Sequence, residues 1–180
     1  MKIINFCGSV DEPTTHPDFF EIIEHFASWD CHINIATNGS LRTTQWWTKL
    51  ATLLPPSHKV TWGIDGSDEL GEQYREGSNF KKVRDNWRAF IGAGGRANWQ
   101  FIVFEHNEHQ VDEAKRISEE AGFERFQAKK TARFVTTWLD KKEEHQAKNR
   151  KDNDTTTLKK PKNIKLQNTA TKQIDKIVTK

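Results

Sequence analysis

Cysteine and long apolar runs are both scarce in this chain of 180 residues. Its two cysteines, Cys7 and Cys31, exclude a framework of several disulfides and favour a reducing compartment, with a single bridge between them as an alternative. No run of about 18 apolar residues occurs, so we predict no membrane-spanning helix. The N-terminus also lacks the basic-then-apolar pattern of a secretory signal. We therefore expect a cytoplasmic protein that has no membrane partner.

The usual motifs of hydrolytic and zinc chemistry are missing as well. No combination of His, Ser and Asp stands in the strand-turn setting of a nucleophile elbow. His106 and His109 lie three positions apart, but no third ligand follows nearby in the sequence. We therefore predict no metal site from these residues.

Charge divides the chain into two unequal segments. Residues 1–140 contain 16 Lys or Arg and 20 Asp or Glu, a net charge of −4, whereas residues 141–180 contain 12 and 5, a net charge of +7. The second segment is polar and poor in aromatics, so it cannot bury enough surface to offset the entropy of ordering. We predict a folded domain over 1–140 and a disordered basic tail over 141–180, with a helix across 140–151 as an alternative.

The lysines of this tail are candidates for contact with an acidic partner. Lys159, Lys160 and Lys162 lie close together, but no aromatic residue stands among them to stack on a base. We therefore expect a solvated tail and no nucleic-acid partner. A scaffold role with an acidic protein remains the alternative.

What the chain does contain is an alternation of strand-like and helix-like segments. Five short runs, mostly apolar, predict strands at about 3–6, 32–36, 59–64, 97–104 and 125–128. Helices are predicted between them at about 17–28, 43–54, 79–91 and 110–121, and Phe19, Ile22, Ile23 and Phe26 share one stripe at helical spacing. This alternation predicts an α/β fold with βα units and a parallel sheet.

Polar residues follow the first four of these strands. The first strand leads into a loop that reads GSVDEP over 8–13, and the others end in Thr37-Asn38-Gly39, in Asp65-Gly66 and in Glu105-His106-Asn107. The carboxyl ends of parallel strands meet at one edge of a sheet or barrel, where binding sites are usually built. We predict a site at this edge.

In their order and spacing, these segments resemble strands two to six of a radical S-adenosylmethionine (radical SAM) enzyme over about residues 1–135. The resemblance is carried by CGSVDEP followed by HPDFFEII, then IATNGSLRT, WGIDG, GSNFKKVRDNWRAFIGAGG and QFIVFEHNEHQVDEAKRISEEAGF. It implies a partial (β/α) barrel of about five parallel strands. It also implies S-adenosylmethionine as cofactor, together with a 4Fe–4S cluster that reduces and cleaves it to a 5′-deoxyadenosyl radical.

The resemblance further implies which residues bind S-adenosylmethionine. They are Gly8, Glu12 and Pro13 after the first strand, where relatives contact the amino group of the methionine moiety, and Asn38, Gly39, Asp65 and Asn107 after the others. Asp11 stands where relatives commonly have glycine. Each position has a structural alternative: a strand-to-helix turn at Glu12, turn dipeptides at Asn38-Gly39 and Asp65-Gly66, and a helix cap at Asn107.

The family's cluster motif, CxxxCxxC, is absent from this sequence. Cluster irons need thiolate ligands, and Cys7 and Cys31 are 24 positions apart. We expect the first βα unit of the family barrel to be missing, so that the chain cannot hold the cluster alone. The chain is then a fragment, the product of a mis-started reading frame, half of a split protein whose partner chain supplies that segment, or a decayed copy. A catalytically inert remnant is the alternative, and the substrate is not indicated.

Tryptophan is abundant, with seven residues in the chain. Trp62 and Trp99 lie on predicted strands among polar neighbours. We expect them in the core, since one aromatic side chain buries about 150 to 250 Å². The alternative is that one of them lines a substrate pocket inside the barrel.

Overall fold

A computed structural model of the chain describes residues 2–7, 12–29, 31–66, 79–134, 143–148 and 155–167. Residues 8–11 of the first predicted binding loop, which include the candidate Gly8 and the departure at Asp11, lie outside the described residues. The same holds for the flanks of the helix proposed across 140–151.

The predicted alternation of strands and helices is confirmed, with boundaries that shift by at most two residues. The strands are β1 (Lys2–Cys7), β2 (Cys31–Thr37), β3 (Lys59–Gly63), β4 (Ala97–Val103) and β5 (Arg125–Lys130). The helices are α1 (Phe19–Ala27), α2 (Thr44–Leu53), α3 (Phe80–Gly92) and α4 (Val111–Glu120). Thr43 and Asn79 cap α2 and α3 by accepting hydrogen bonds from the backbone N–H groups of Trp46 and Lys82.

The five strands form one parallel sheet in the order in which they occur along the chain. Each strand therefore pairs with the next one, and every connection that carries a helix returns the chain to the same end of the sheet. This sequential order is that of a (β/α) barrel opened between its first and last strands. The predicted fold, an α/β partial barrel of five parallel strands, is confirmed.

One side of the sheet packs against the helices and forms the core. Trp62 on β3 and Trp99 on β4 are both 0% exposed on this side, and the Trp47 ring of α2 lies 4.5 Å from that of Trp62 between centroids. The core interpretation of Trp62 and Trp99 is confirmed, and the alternative of a pocket-lining role is wrong. Alternation along each strand sends these bulky side chains toward the helices and their polar neighbours to the other side.

We call the other side of the sheet the open face. Its side chains are partly or fully exposed, and those of Asn34 on β2 and Asn5 on β1 join across the strands with a 3.0 Å hydrogen bond. From β1 to β5 the open face carries Ile3, Asn5, Cys7, His32, Asn34, Ala36, Lys59, Thr61, Gly63, Asn98, Gln100, Ile102, Arg125, Gln127 and Lys129. Ten of these fifteen side chains are polar or charged, so this face is predominantly polar.

The two cysteines lie at opposite ends of neighbouring strands and are both free. Cys31 is in register with Lys2, at the start of β1, whereas Cys7 is in register with Ala36, near the end of β2. Five residues of strand separate them by about 16 Å, far beyond disulfide reach. The alternative of a bridge between them is wrong.

The C-terminal segment contains ordered structure that we did not predict. Strands β6 (Glu144–Lys148) and β7 (Thr155–Lys159) pair antiparallel, so disorder is the wrong prediction for these residues and the helix across 140–151 is wrong where it is described. Leu158 packs with Phe104 and Phe134 in a small second core, and the backbone N–H of Glu105 donates to the carbonyl of Lys159. The domain boundary at residue 140 stays a prediction.

None of the helices in the described part of the chain has both the length and the apolar character needed to cross a bilayer.

Candidate functional site

Glu12 ties the loop after β1 to the end of β2. One oxygen of its carboxylate accepts from the backbone N–H of Asn38 at 2.9 Å, and the other accepts from the Thr14 hydroxyl at 3.1 Å. Pro13 opens a short 3-10 helix over Pro13–Thr15, as its fixed φ favours. The structure therefore brings Glu12, Pro13 and Asn38 together at the carboxyl edge of the sheet, with the Glu12 side chain partly exposed there.

Asn38 and Gly39 form a tight turn at the end of β2. The Asn38 amide oxygen accepts from the backbone N–H of Ser40 at 2.8 Å and from its hydroxyl at 2.5 Å. Gly39 adopts φ +70°, and a Cβ on it would lie 2.4 Å from a ring carbon of Trp62. The turn interpretation of this dipeptide is confirmed, while a binding role for Asn38 and Gly39 stays a prediction.

Arg42 is a residue that the sequence motifs did not single out. Its Nε donates to the carbonyl of Thr14 at 2.6 Å, and one terminal nitrogen donates to the carbonyls of Thr15 and His16 at 3.1 and 2.9 Å. It thereby holds the short 3-10 helix that follows Glu12. A non-glycine residue at φ 65° is uncommon, but that conformation is invisible in sequence.

Asp65 and Asn107 join the ends of β3 and β4. A carboxylate oxygen of Asp65, which is 2% exposed, accepts from the backbone N–H of Ile102 at 2.7 Å. The Asn107 amide donates to the carbonyls of Asp65 and Ile102, and its oxygen accepts from the backbone N–H of Phe104 at 2.7 Å. The helix-cap alternative for Asn107 is wrong, because its acceptor points back to the strand and not forward into the helix.

His106 and Glu105 lie beside this junction. The His106 ring stacks on Phe104 with centroids 5.6 Å apart, and burial lowers the pKa of its imidazole although the nearby Asp65 carboxylate acts in the opposite direction. Glu105 pairs with Lys162 at 2.7 Å, and this contact lowers the pKa of the Glu105 carboxyl. Through Lys162, the basic tail therefore reaches the carboxyl edge of the sheet, which we call the strand-end edge.

The residues of this chain do not fit a 4Fe–4S cluster. Cys7 and Cys31 are the only thiols in the sequence, and the thiol of Cys31 is buried and donates to the carbonyl of Phe26 at 2.9 Å. Within the described ranges, no group of three or more potential metal ligands occurs. Two thiols at opposite ends of the sheet cannot reproduce the usual ligand set of such a cluster.

The fold and the strand-end edge define a class of protein, the partial (β/α) barrel whose loops converge at the carboxyl ends of its strands. Among solved structures, native anSMEcpe with bound AdoMet (S-adenosylmethionine), a radical SAM enzyme, has a TM-score of 0.58 to this chain at 18% sequence identity. The alignment covers 84% of this chain and 41% of that one. At this identity the likeness is one of fold.

Two further structures of the same enzyme give the same result. The structure with bound AdoMet and the Cp18Cys peptide has a TM-score of 0.58 at 19% identity, over 84% of this chain and 41% of that one. The hexahistidine-tagged form with bound AdoMet has a TM-score of 0.56 at 20% identity, over 70% and 35%. This chain thus spans about two fifths of those chains or less. No protein-family model and no curated protein matches it.

Proposed function

We propose that this chain is the S-adenosylmethionine-binding barrel portion of a radical SAM-type enzyme. The observation that carries the proposal is the Glu12 carboxylate, which bridges the loop after β1 to the backbone of Asn38 at the end of β2. It stands at the carboxyl edge of a sheet similar to those of structures that hold AdoMet. In radical SAM enzymes this cofactor supplies a 5′-deoxyadenosyl radical.

Glu12 is the residue that suits the amino group of the cofactor. A carboxylate accepts charge-assisted hydrogen bonds from an ammonium group, and such bonds are stronger than neutral ones. Arg42 keeps the short helix after Glu12 in place, and Asp65 with Asn107 holds the ends of β3 and β4 together. These three residues position the edge, while Glu12 contacts the ligand.

We further propose that the cluster is held by a separate chain that pairs with β1. Within the described residues, β1 pairs with β2 on one side only, and Ile3 is 57% exposed. An unpaired strand edge offers backbone N–H and C=O groups to another strand. Together with the two widely separated thiols, this edge favours a partner that carries the missing ligands. A chain without such a partner would be inert.

Calorimetric titration of the chain with S-adenosylmethionine tests the binding role of Glu12. Glu12→Gln keeps the shape of the side chain but removes its charge. A hydrogen bond to a charged group contributes about 1.5–3 kcal/mol, so the variant is expected to bind about 10- to 100-fold more weakly. Glu24→Gln, at an exposed position on α1, is the matched control and should bind like the unmodified chain.

Two results would contradict the proposal. One is the absence of any binding by the unmodified chain, and the other is equal affinity for the Glu12→Gln and Glu24→Gln variants. Thermal unfolding of both variants, followed by circular dichroism, distinguishes a lost contact from a lost fold.

A further inference from the structure

Acidic side chains are missing from the open face. Along its five strands, the open face carries the amides Asn5, Asn34, Asn98, Gln100 and Gln127 and the cations Lys59, Arg125 and Lys129. Not one of its fifteen positions is Asp or Glu. Amides and cations without an acid form a surface that is complementary to an anionic ligand rich in hydrogen-bonding groups.

Two of the three cations are available on this face. Lys59 pairs with Glu124 at 2.9 Å, which neutralises it. Arg125 has no ion pair within the described part of the chain, and Lys129 donates only to the neutral amide of Gln100, at 3.3 Å. Both side chains are exposed on β5. The free positive charge of the open face is therefore concentrated on its last strand.

Amide side chains lie beside these two cations on β4 and β5, and we call this part of the open face the strip. Asn98 is in register with Arg125, and Gln100 with Gln127. The side-chain oxygen of Asn98 is buried yet accepts no hydrogen bond from any described residue. A buried acceptor left unpaired is unfavourable, so a ligand that brings an N–H donor to this point strengthens its own binding.

Spacing determines which ligand suits the strip. Arg125 and Lys129 are four residues apart on one side of a strand, which places them about 13 Å apart. Two acidic side chains at positions i and i+4 of an extended peptide point to one side at the same separation. The peptide backbone between them supplies N–H and C=O groups for the amides.

We propose that the open face along β4 and β5 binds an extended peptide segment that carries acidic side chains four residues apart. The open face holds no Phe, Tyr or Trp on which a nucleobase would stack, which disfavours single-stranded nucleic acid. Phosphate groups bring no N–H donor for the Asn98 oxygen. This inference goes beyond the proposed cofactor role and does not depend on it.

Fluorescence anisotropy with labelled nine-residue peptides tests the proposal on the full chain without added cofactor. The probe TTETTTETT carries its acids at i and i+4, whereas TTETTETTT has the same composition with the acids at i and i+3, on opposite sides of an extended strand. Threonine favours the extended conformation. We expect the first peptide to bind more tightly, and increasing salt to weaken it.

Variants of β5 locate the contact. Arg125→Gln combined with Lys129→Gln should weaken binding of TTETTTETT about tenfold, because two exposed charge pairs contribute up to about 1 kcal/mol each. Lys130→Gln removes the same charge from the other side of the same strand and should change binding by less than about twofold. Gln127→Glu places a carboxylate between the two cations and should also weaken binding, without risk to the fold at this exposed position.

Three results would overturn the proposal: equal binding of the two peptides, an equal loss with Lys130→Gln, or unchanged binding in Gln127→Glu. Stronger competition by an oligothymidine than by unlabelled TTETTTETT would also overturn it, in favour of nucleic acid. None of these variants touches Glu12, so S-adenosylmethionine affinity should stay unchanged and the two proposals fail independently.

Discussion

Gly39 provides the sharpest test of how the strand-end edge is built. This residue follows β2 at φ +70°, and a Cβ placed on it would lie 2.4 and 2.6 Å from two carbons of the Trp62 ring. Trp62 is fully buried and contacts the rings of Trp47 and Phe90, so it cannot move away. Gly39→Ala therefore combines a strained backbone with a clash inside the core.

The loss of stability expected for Gly39→Ala is the sum of these two costs. The left-handed conformation costs a non-glycine residue about 1–2 kcal/mol, and overpacking a well-packed core costs about 1–3 kcal/mol more. We expect Gly39→Ala to lower the free energy of unfolding by about 2–5 kcal/mol. Gly94→Ala is the matched control, because Gly94 has φ +88° but no atom within 4 Å of the added Cβ. It should show the backbone cost alone.

Urea unfolding followed by tryptophan fluorescence and by circular dichroism measures both variants. Since the effect of glycine replacement on the unfolded chain is common to the two, their difference isolates the clash with Trp62. The unfolding midpoint of Gly39→Ala should lie about 1 M below that of Gly94→Ala. Equal midpoints would refute the reasoning and would mean that Trp62 adjusts without cost.

Two further predictions concern acid stability and self-association. His58 is buried, and both burial and the neighbouring His32 lower its pKa, so the folded state favours the neutral ring. The contribution of His58 to stability is full above the unfolded pKa of about 6.5 and is lost as the pH falls below that value. In the His58→Gln variant, the urea unfolding midpoint should therefore depend less on pH between pH 7.5 and 5.5. The same pH dependence as in the unmodified chain would contradict this. Among the described strands, β1 pairs with β2 alone, and its other edge should cause oligomers on size-exclusion chromatography. Ile3→Lys, which adds a charge on this strand, should shift the elution toward monomer. If the unmodified chain elutes as a clean monomer, self-association through the edge of β1 is contradicted.

The helices and strands of the sheet could be predicted because their signals are local. The stripe of Phe19, Ile23 and Phe26 defines α1. This feature survives in the structure because packing supports the same assignment. The convergence of Glu12 and Asn38 could also be anticipated, since the carboxyl ends of neighbouring parallel strands share one edge.

The roles of individual side chains were harder to predict. Asn107 reads as a helix cap, yet its amide joins β3 to β4 because the ends of the two strands lie within its reach. Arg42 lies within the segment IATNGSLRT, but nothing in the sequence assigns it a role, and its three backbone partners lie more than twenty-five residues earlier. Such contacts depend on distances that only the assembled sheet creates.

The hairpin of β6 and β7 was missed for a related reason. The composition of 141–180 is polar enough to predict disorder, since that prediction averages over the whole segment. A few apolar contacts made by Leu158 with Phe104 and Phe134, together with the strand ladder, order part of it. The average polarity of residues 141–180 does not reveal that Leu158 packs with Phe104 and Phe134.

By itself, the sequence determined the α/β class, the five strands with their helices, the edge where a site would be built, and the lack of enough thiols for a cluster. Those properties follow from local periodicity and from residue counts. Tertiary structure alone decided that Trp62 and Trp99 face the helices, that the opposite face is polar and free of acids, and that β6 pairs with β7. Strand alternation fixes that two faces exist, but packing selects which face is buried.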